Sequence, residues 1–120
     1  MLNNQESISI IFADEFENNL YSLSKKYRNI RKDIAIALEQ IQSGNFIGDR
    51  LAGLGENYVV IKVRVKNSNI QKGKSAGYRL VYQVESPTSV LLLTIYAKSD
   101  RDDISPNEIF SILASISDDE

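Results

Sequence analysis

Hydrophobic and polar residues alternate most regularly between Tyr58 and Lys66. Four β-branched residues fall on one side of this run and three basic residues on the other: Val59, Ile61, Val63 and Val65 against Lys62, Arg64 and Lys66. Because side chains in a strand repeat every two residues, the pattern predicts a half-buried strand with a cationic outer face. Successive charges would lie about 7 Å apart, near the spacing of phosphates on an extended nucleic-acid strand. A solvated strip that keeps a sheet edge from aggregating is the plainer interpretation.

Two more strand-like runs follow the first one. Gly77–Val84 is predicted to return alongside it, with Tyr78 and Tyr82 on the apolar side, and Glu85–Ser89 is predicted to form the next turn. Val90–Tyr96 is apolar on both sides apart from one threonine, which is typical of an interior strand.

The segment between the first two of these strands, Asn67–Ala76, is longer than a tight hairpin requires. Lys72 and Lys74 flank Gly73 at its tip. A glycine there lets a ligand approach the backbone closely, but exposed lysines that only keep the loop solvated explain the pattern equally well.

Helical spacing of apolar residues predicts three helices. The first begins at Asp14, with Glu17 completing a capping box, and its apolar stripe is Phe16, Leu20, Leu23 and Tyr27. The second carries Ile30, Ile34, Ala37, Leu38 and Ile41 and is expected to end through a left-handed Gly44. The third starts with Ser105 as N-cap, Pro106 as first residue and Glu108 in the first turn. A short strand, Ser7–Phe12, is predicted ahead of them all.

The order of elements predicts an α+β fold. We expect one domain over residues 1–120: an antiparallel sheet of about four strands packed against an N-terminal helical hairpin, with a C-terminal helix, in two layers. A chain of 120 residues is long enough for one core and too short for two.

The chain contains no cysteine and no histidine. This excludes disulfides and thiolate catalysis, and it removes the side chain that most often transfers protons near neutral pH. We therefore expect no metal site and no cofactor, and any catalysis would use Lys, Arg, Tyr, Asp or Glu. No stretch has the length and apolarity of a signal peptide or a membrane span, which predicts a cytoplasmic protein without a membrane partner.

Charge is distributed unevenly along the chain. The net charge of −2 argues against a nucleic-acid binder, yet residues 57–84 hold six basic residues and no acid, whereas residues 99–120 hold seven acids and one arginine. A polyanion meets the local field, because salt screens charges beyond about 8 Å. A second basic cluster is mixed with acids, which favours a solvated face: Lys25, Lys26, Arg28, Arg31 and Lys32.

Three segments together resemble the RelE/ParE superfamily of bacterial toxins from type II toxin–antitoxin systems. They are residues 61–66, residues 72–82 with the sequence KGKSAGYRLVY, and residues 93–99 with the sequence LTIYAKS followed by Asp102-Asp103-Ile104. The resemblance covers roughly residues 8–117 and implies the RelE-like two-layer fold. For members similar to RelE and HigB it implies a metal-independent endoribonuclease that cuts mRNA on the ribosome and so inhibits translation.

The resemblance also implies roles for individual residues. Lys62 and Arg64 match basic residues that hold the scissile phosphate, and Arg79 matches an arginine that stabilises the transition state. Attack of the 2′-hydroxyl on its own phosphorus adds charge to the phosphoryl oxygens and requires two proton transfers. A guanidinium suits the first task and a lysine of lowered pKa the second. Further candidates for RNA binding are Lys66, Lys72, Lys74, Tyr96, Lys98 and Arg101.

Two positions depart from the RelE-like pattern. Ser99 replaces an arginine after the last strand, and Ser105 replaces a catalytic tyrosine near the last helix. A ParE-like inhibitor of DNA gyrase therefore remains an alternative, as does a catalytically inactive toxin that acts with its antitoxin in transcriptional autoregulation. All three functions imply a cognate antitoxin as partner. The endoribonuclease, which is the leading hypothesis, also implies the ribosome and mRNA as partners. We expect the free toxin to be monomeric or weakly associating.

Overall fold

Three helices and five strands make up the part of the chain that the computed structural model describes, residues 8–70 and 76–117. In chain order they are β1 (Ser9–Phe12), α1 (Asp14–Lys26), α2 (Ile30–Gln42), β2 (Asp49–Arg50), β3 (Val60–Val65), β4 (Tyr78–Ser86), β5 (Ser89–Ala97) and α3 (Pro106–Ser117). The strands form one sheet in the order β1-β5-β4-β3-β2. The predicted α+β class is confirmed, and β5 is an interior strand as expected.

The sheet differs from the predicted one in strand number and direction. It has five strands rather than about four, and β1 runs parallel to β5, with Ser9 opposite Ser89. No tight turn joins these two strands, so nothing forces them to be antiparallel. The extra strand, β2, pairs two residues with β3 and lies between α2 and β3 in the chain. Two residues are too few to show any hydrophobic period.

Helices cover both faces of the sheet. The hairpin of α1 and α2 covers one face, as predicted, whereas α3 packs on the other, so the fold has more than the two predicted layers. The cluster on the α1 and α2 side contains Phe16, Ile30, Ile34, Ile41, Ile61, Val63, Val65, Tyr78, Leu80, Tyr82, Val90 and Leu92. The cluster on the α3 side contains Val60, Val81, Leu91, Leu93, Tyr96, Ile104, Ile109 and Ile112. The last helix therefore adds a partial third layer over the face that carries the basic residues.

Helix ends follow the prediction at two of three places. Ser105 and Glu108 cap α3 reciprocally, since the Glu108 N–H donates to Ser105 Oγ (3.2 Å) and the Ser105 N–H to Glu108 Oε1 (3.1 Å). Gly44 follows α2 with φ +95°, as predicted. The capping box at Asp14 is wrong: Asp14 is already helical, and Ala13 is an N-cap without a side-chain hydrogen bond. The reason is the sheet, because the Ala13 N–H donates to the Leu92 carbonyl (2.9 Å) and holds residue 13 extended.

The hairpin of β4 and β5 turns at Ser86–Ser89, inside the predicted turn. Away from this turn, the pairing register of the two strands shifts by one residue. Val81 pairs with Thr94 while the next residue of β4 pairs with Leu92, so β5 carries an extra residue there. Such a bulge locally bends and twists a sheet. At the start of β4, a Cβ on Gly77 would collide with the Val65 carbonyl oxygen. Glycine at this position allows the close approach of β4 to β3.

In the described ranges, 8–70 and 76–117, no helix combines the length and apolarity needed to cross a membrane.

Candidate nucleic-acid interface

Arg64, Arg79 and Tyr96 form a row across three neighbouring strands. Arg64 of β3 lies opposite Arg79 of β4, which lies opposite Tyr96 of β5. Directly opposed side chains on one face of a sheet have Cβ atoms about 5 Å apart. Lys62 precedes Arg64 by two residues and shares its face, opposite Val81. The sheet thus brings together the three predicted catalytic residues, which lie up to 17 positions apart in the sequence.

These residues differ in how accessible they are. Arg64 is exposed, and the side chain of Lys62 is 23% exposed. Arg79 is only 5% exposed, and its Nη1 donates to the Tyr78 carbonyl at 3.2 Å. Strand alternation correctly predicts that Arg79 and Leu80 lie on opposite faces of the sheet. It does not predict that Arg79 is buried. Arg79 is therefore the buried member of the row, whereas the Arg64 and Lys62 side chains reach solvent.

The loop between β5 and α3, residues 98–105, folds back toward the basic face, and we call it the acidic loop. Asp103 Oδ1 accepts a hydrogen bond from Lys62 Nζ at 2.8 Å, and Asp102 Oδ1 one from Lys98 Nζ at 2.8 Å. At the base of α3, Glu108 Oε1 lies 2.6 Å from Arg101 Nη2. Three of the predicted RNA-contacting cations therefore already have carboxylate partners.

The hydrogen bonds from these cations stabilise the ionised form of each acid. The Lys62 ammonium, followed by the Ile104 N–H, lowers the pKa of Asp103. The Arg101 guanidinium lowers the pKa of Glu108, while the hydrogen bond to Glu108 raises the pKa of Arg101. The hydrogen bond from Lys98 likewise lowers the pKa of the Asp102 carboxyl. All three carboxylates are thus ionised at neutral pH, and each offsets one positive charge on this side of the molecule.

Tyr96 lies under the acidic loop. Its residue is 6% exposed, and the Arg101 guanidinium lies 5.1 Å from the centre of its ring. The Tyr96 hydroxyl is buried and has no hydrogen-bond partner among the residues that the structure describes. Burial and the charge of Asp103 raise the pKa of Tyr96, against the opposite influence of Arg101 and Arg79. The hydroxyl is therefore protonated at neutral pH and able to donate.

Arg101 orders the acidic loop. Its Nε and Nη2 donate to the Asp103 carbonyl at 3.0 and 2.8 Å, in addition to the contact with Glu108. The guanidinium therefore connects three parts of the site: the ring of Tyr96, the backbone of Asp103 and the first turn of α3. Base stacking on Tyr96 would require Arg101 to move.

The remaining predicted contacts are spread around this site. Lys66 is exposed just after β3. Lys72 and Lys74 lie outside the described residues. Tyr78 and Tyr82 are core residues on the opposite face, as predicted, and Tyr82 Oη donates to the Ile47 carbonyl at 2.6 Å.

The basic cluster of the helical hairpin also lies on the exposed surface. All five of its cations are exposed: Lys25, Lys26, Arg28, Arg31 and Lys32. They belong to helices that pack against the other face of the sheet from Lys62 and Arg64. The cluster is therefore separate from the row and its acidic loop.

Sequence reasoning missed the acids of the site. Asp103 and Glu108 belong to no periodic pattern, and Asp103 is 41 positions from the lysine that it contacts. The Asp102-Asp103-Ile104 motif was the one signal that singled out this segment. Ser105, where the RelE-like pattern would have a tyrosine, accepts the N–H of Glu108 and so serves the helix cap.

No family model and no curated protein matches this chain. In the described part of the chain, no group of three or more acidic side chains is placed to hold a metal ion.

Proposed function

We propose that this protein is the toxin of a type II toxin–antitoxin system, of the RelE/ParE superfamily, and that it cleaves mRNA on the ribosome. The observation that carries the proposal is the convergence of Lys62, Arg64 and Arg79 on one face of the sheet. Ribosomal action places the protein in the cytoplasm. The resemblance in residues 61–66, 72–82 and 93–99 supports the same function.

In the proposed reaction the RNA 2′-hydroxyl attacks the adjacent phosphorus and the 5′-oxygen leaves. Arg64 and Lys62, whose side chains reach solvent, bind the phosphodiester. Arg79, which lies buried beneath them, stabilises the charge that develops on the phosphoryl oxygens. A guanidinium held in one orientation is suited to this role because its donors are fixed. Fixed cations supply the positive charge that the transition state needs, so we propose a metal-independent reaction.

Further cations would extend the contact with RNA. Lys66 continues the line of Lys62 and Arg64, and Lys98 and Arg101 flank the row on the side of β5. Lys72 and Lys74 would contact phosphates from the segment between β3 and β4. Contacts of this kind add affinity without reading the base sequence.

The proposed partner in the resting cell is an antitoxin with an acidic, amphipathic segment. Such a segment would neutralise the basic face and cover apolar side chains that are exposed here, which include Ile11, Phe12, Tyr21 and Ile36. We propose that the free toxin is monomeric or weakly associating. Gel filtration over a range of concentrations tests this, and a tight homodimer would contradict it.

The test of the function is a primer-extension assay on mRNA, with and without programmed ribosomes. We expect cuts that require ribosomes and that disappear in Arg79→Ala and in Arg64→Ala. Because Arg79 is buried, its variant needs a circular-dichroism spectrum to show that it folds, whereas exposed Arg64 provides an independent variant. Lys32→Ala, which removes an exposed cation of α2, is the matched control and should cleave normally.

Absence of cuts by the unaltered protein under every condition would refute the nuclease. Gyrase inhibition is then the second candidate, and one observation favours it over cleavage: Ser105, where the RelE-like pattern has a catalytic tyrosine, caps α3 with Glu108 instead. A supercoiling assay with purified gyrase tests it. If both assays are negative, a catalytically inactive toxin that represses transcription with its antitoxin is what remains.

A further inference from the structure

The buried hydroxyl of Tyr96 is the feature of the site that the fold itself does not explain. Native proteins satisfy nearly all buried polar groups, and an exception calls for a reason such as a ligand. The Tyr96 residue is 6% exposed, and its hydroxyl has no hydrogen-bond partner in the described part of the chain. Its neighbours are Arg79, opposite it in the sheet, and Arg101, over its ring. A protonated donor with two arginines as neighbours is suited to an anion.

The Asp103 carboxylate occupies the place that such an anion would take on Lys62. Asp103 Oδ1 lies 2.8 Å from Lys62 Nζ, a distance typical of a charge-assisted hydrogen bond. A phosphate oxygen would make the same contact with the same nitrogen. Asp103 is thus an internal substitute for the phosphate, carried by the loop that lies over Tyr96.

The ion pairs of the acidic loop are on the surface, whereas its Ile104 is buried in the cluster on the α3 side. The Asp103 side chain is 66% exposed in its pair with Lys62, and Arg101 and Glu108 are about 40% exposed in theirs. Ion pairs this exposed contribute little free energy and weaken with salt. The Asp103 side chain can therefore leave Lys62 at low cost when a polyanion competes for that lysine, while Ile104 keeps the loop in place.

We propose that a phosphodiester of single-stranded RNA displaces the Asp103 side chain from Lys62 into solvent, and that the Tyr96 hydroxyl then donates a hydrogen bond to the bound phosphate. Tyr96 is on this account a phosphate-binding residue rather than a platform for base stacking. The inference rests on the proposed function only in taking RNA as the source of the phosphate.

The test is fluorescence anisotropy with a short labelled single-stranded RNA at low salt. Asp103→Asn removes the competing charge, and its side-chain oxygen can still accept the Ile104 N–H. Because an exposed pair is lost, we expect it to bind RNA about two- to fivefold more tightly than the unaltered protein. Glu39→Gln makes the same charge change on exposed α2, on the other side of the sheet, and is the matched control. Tyr96→Phe keeps the ring, and we expect binding about tenfold weaker.

Two results would overturn the inference: Asp103→Asn that binds no more tightly than Glu39→Gln, or Tyr96→Phe that binds like the unaltered protein. The outcome is independent of cleavage. If the variants behave as expected but ribosomal mRNA stays intact, the site stands and the nuclease fails. If mRNA is cut but the variants bind alike, the nuclease stands and the site fails.

Discussion

Replacing Tyr96 by phenylalanine should make the protein more stable. The substitution removes a buried hydroxyl that has no partner in the described structure and leaves the ring under Arg101. An unsatisfied buried hydroxyl costs about 1–3 kcal/mol, so we expect the free energy of unfolding to rise by about 1–2 kcal/mol. For a domain of this size that corresponds to an increase in Tm of roughly 4–8 °C.

Tyr82→Phe is the matched comparison, because the same atom is removed from an equally buried ring with the opposite expected sign. The Tyr82 hydroxyl donates to the Ile47 carbonyl at 2.6 Å, and its loss leaves that acceptor without the bond. We expect a loss of about 1–2 kcal/mol. Urea unfolding followed by far-ultraviolet circular dichroism gives both values by linear extrapolation. Tyr96→Phe that is no more stable than the unaltered protein would refute the reasoning from the unpaired hydroxyl.

Three further predictions concern pH, a close backbone contact and a helix cap. Burial raises the pKa of three tyrosines, Tyr78, Tyr82 and Tyr96. Stability should therefore be constant up to about pH 10 and then fall as these tyrosines ionise in the unfolded chain first, each contributing up to roughly 1.4 kcal/mol per pH unit; pH-dependent urea unfolding that stays flat to pH 11.5 would contradict this. Gly77→Ala would force a methyl group into the Val65 carbonyl oxygen, and we expect a loss of more than about 1 kcal/mol in the same assay; unchanged stability would mean that the strands need no close approach. Ser105→Ala removes the cap of α3 and should cost about 1 kcal/mol while RNA affinity is unchanged, whereas a weaker affinity at full helix content would give Ser105 a direct role.

Periodicity predicts the parts of this fold in which local pattern and burial agree. β3 and β5 follow from alternation and from an uninterrupted apolar run, and α3 follows from Ser105 and Glu108, which the structure pairs as expected. β2 could not be predicted, because its two residues pair with β3 through backbone groups alone. The capping box of α1 was predicted wrongly, because a sheet contact of Ala13 overrides the local capping preference of Asp14.

The candidate site divides in the same way. Strand alternation places Lys62 and Arg64 on one face correctly, since this needs only a period of two. It does not reveal the burial of Arg79, which depends on tertiary packing. Nor does it reveal the pairing of Lys62 with Asp103, because the two residues are 41 positions apart. The six basic residues and no acid of residues 57–84 therefore overstated how positive this surface is.

The parallel pairing of β1 with β5 has a consequence for synthesis. Residues about 80 positions apart lie side by side in it, and the row from Arg64 to Tyr96 also ends on β5. Chains emerge from the ribosome N-terminus first, and contacts between distant segments form only after both are available. We expect a nascent chain to lack both the finished sheet and the assembled site until the segment through Ala97 has left the exit tunnel. The activity proposed above would thus be absent while most of the chain is being synthesised.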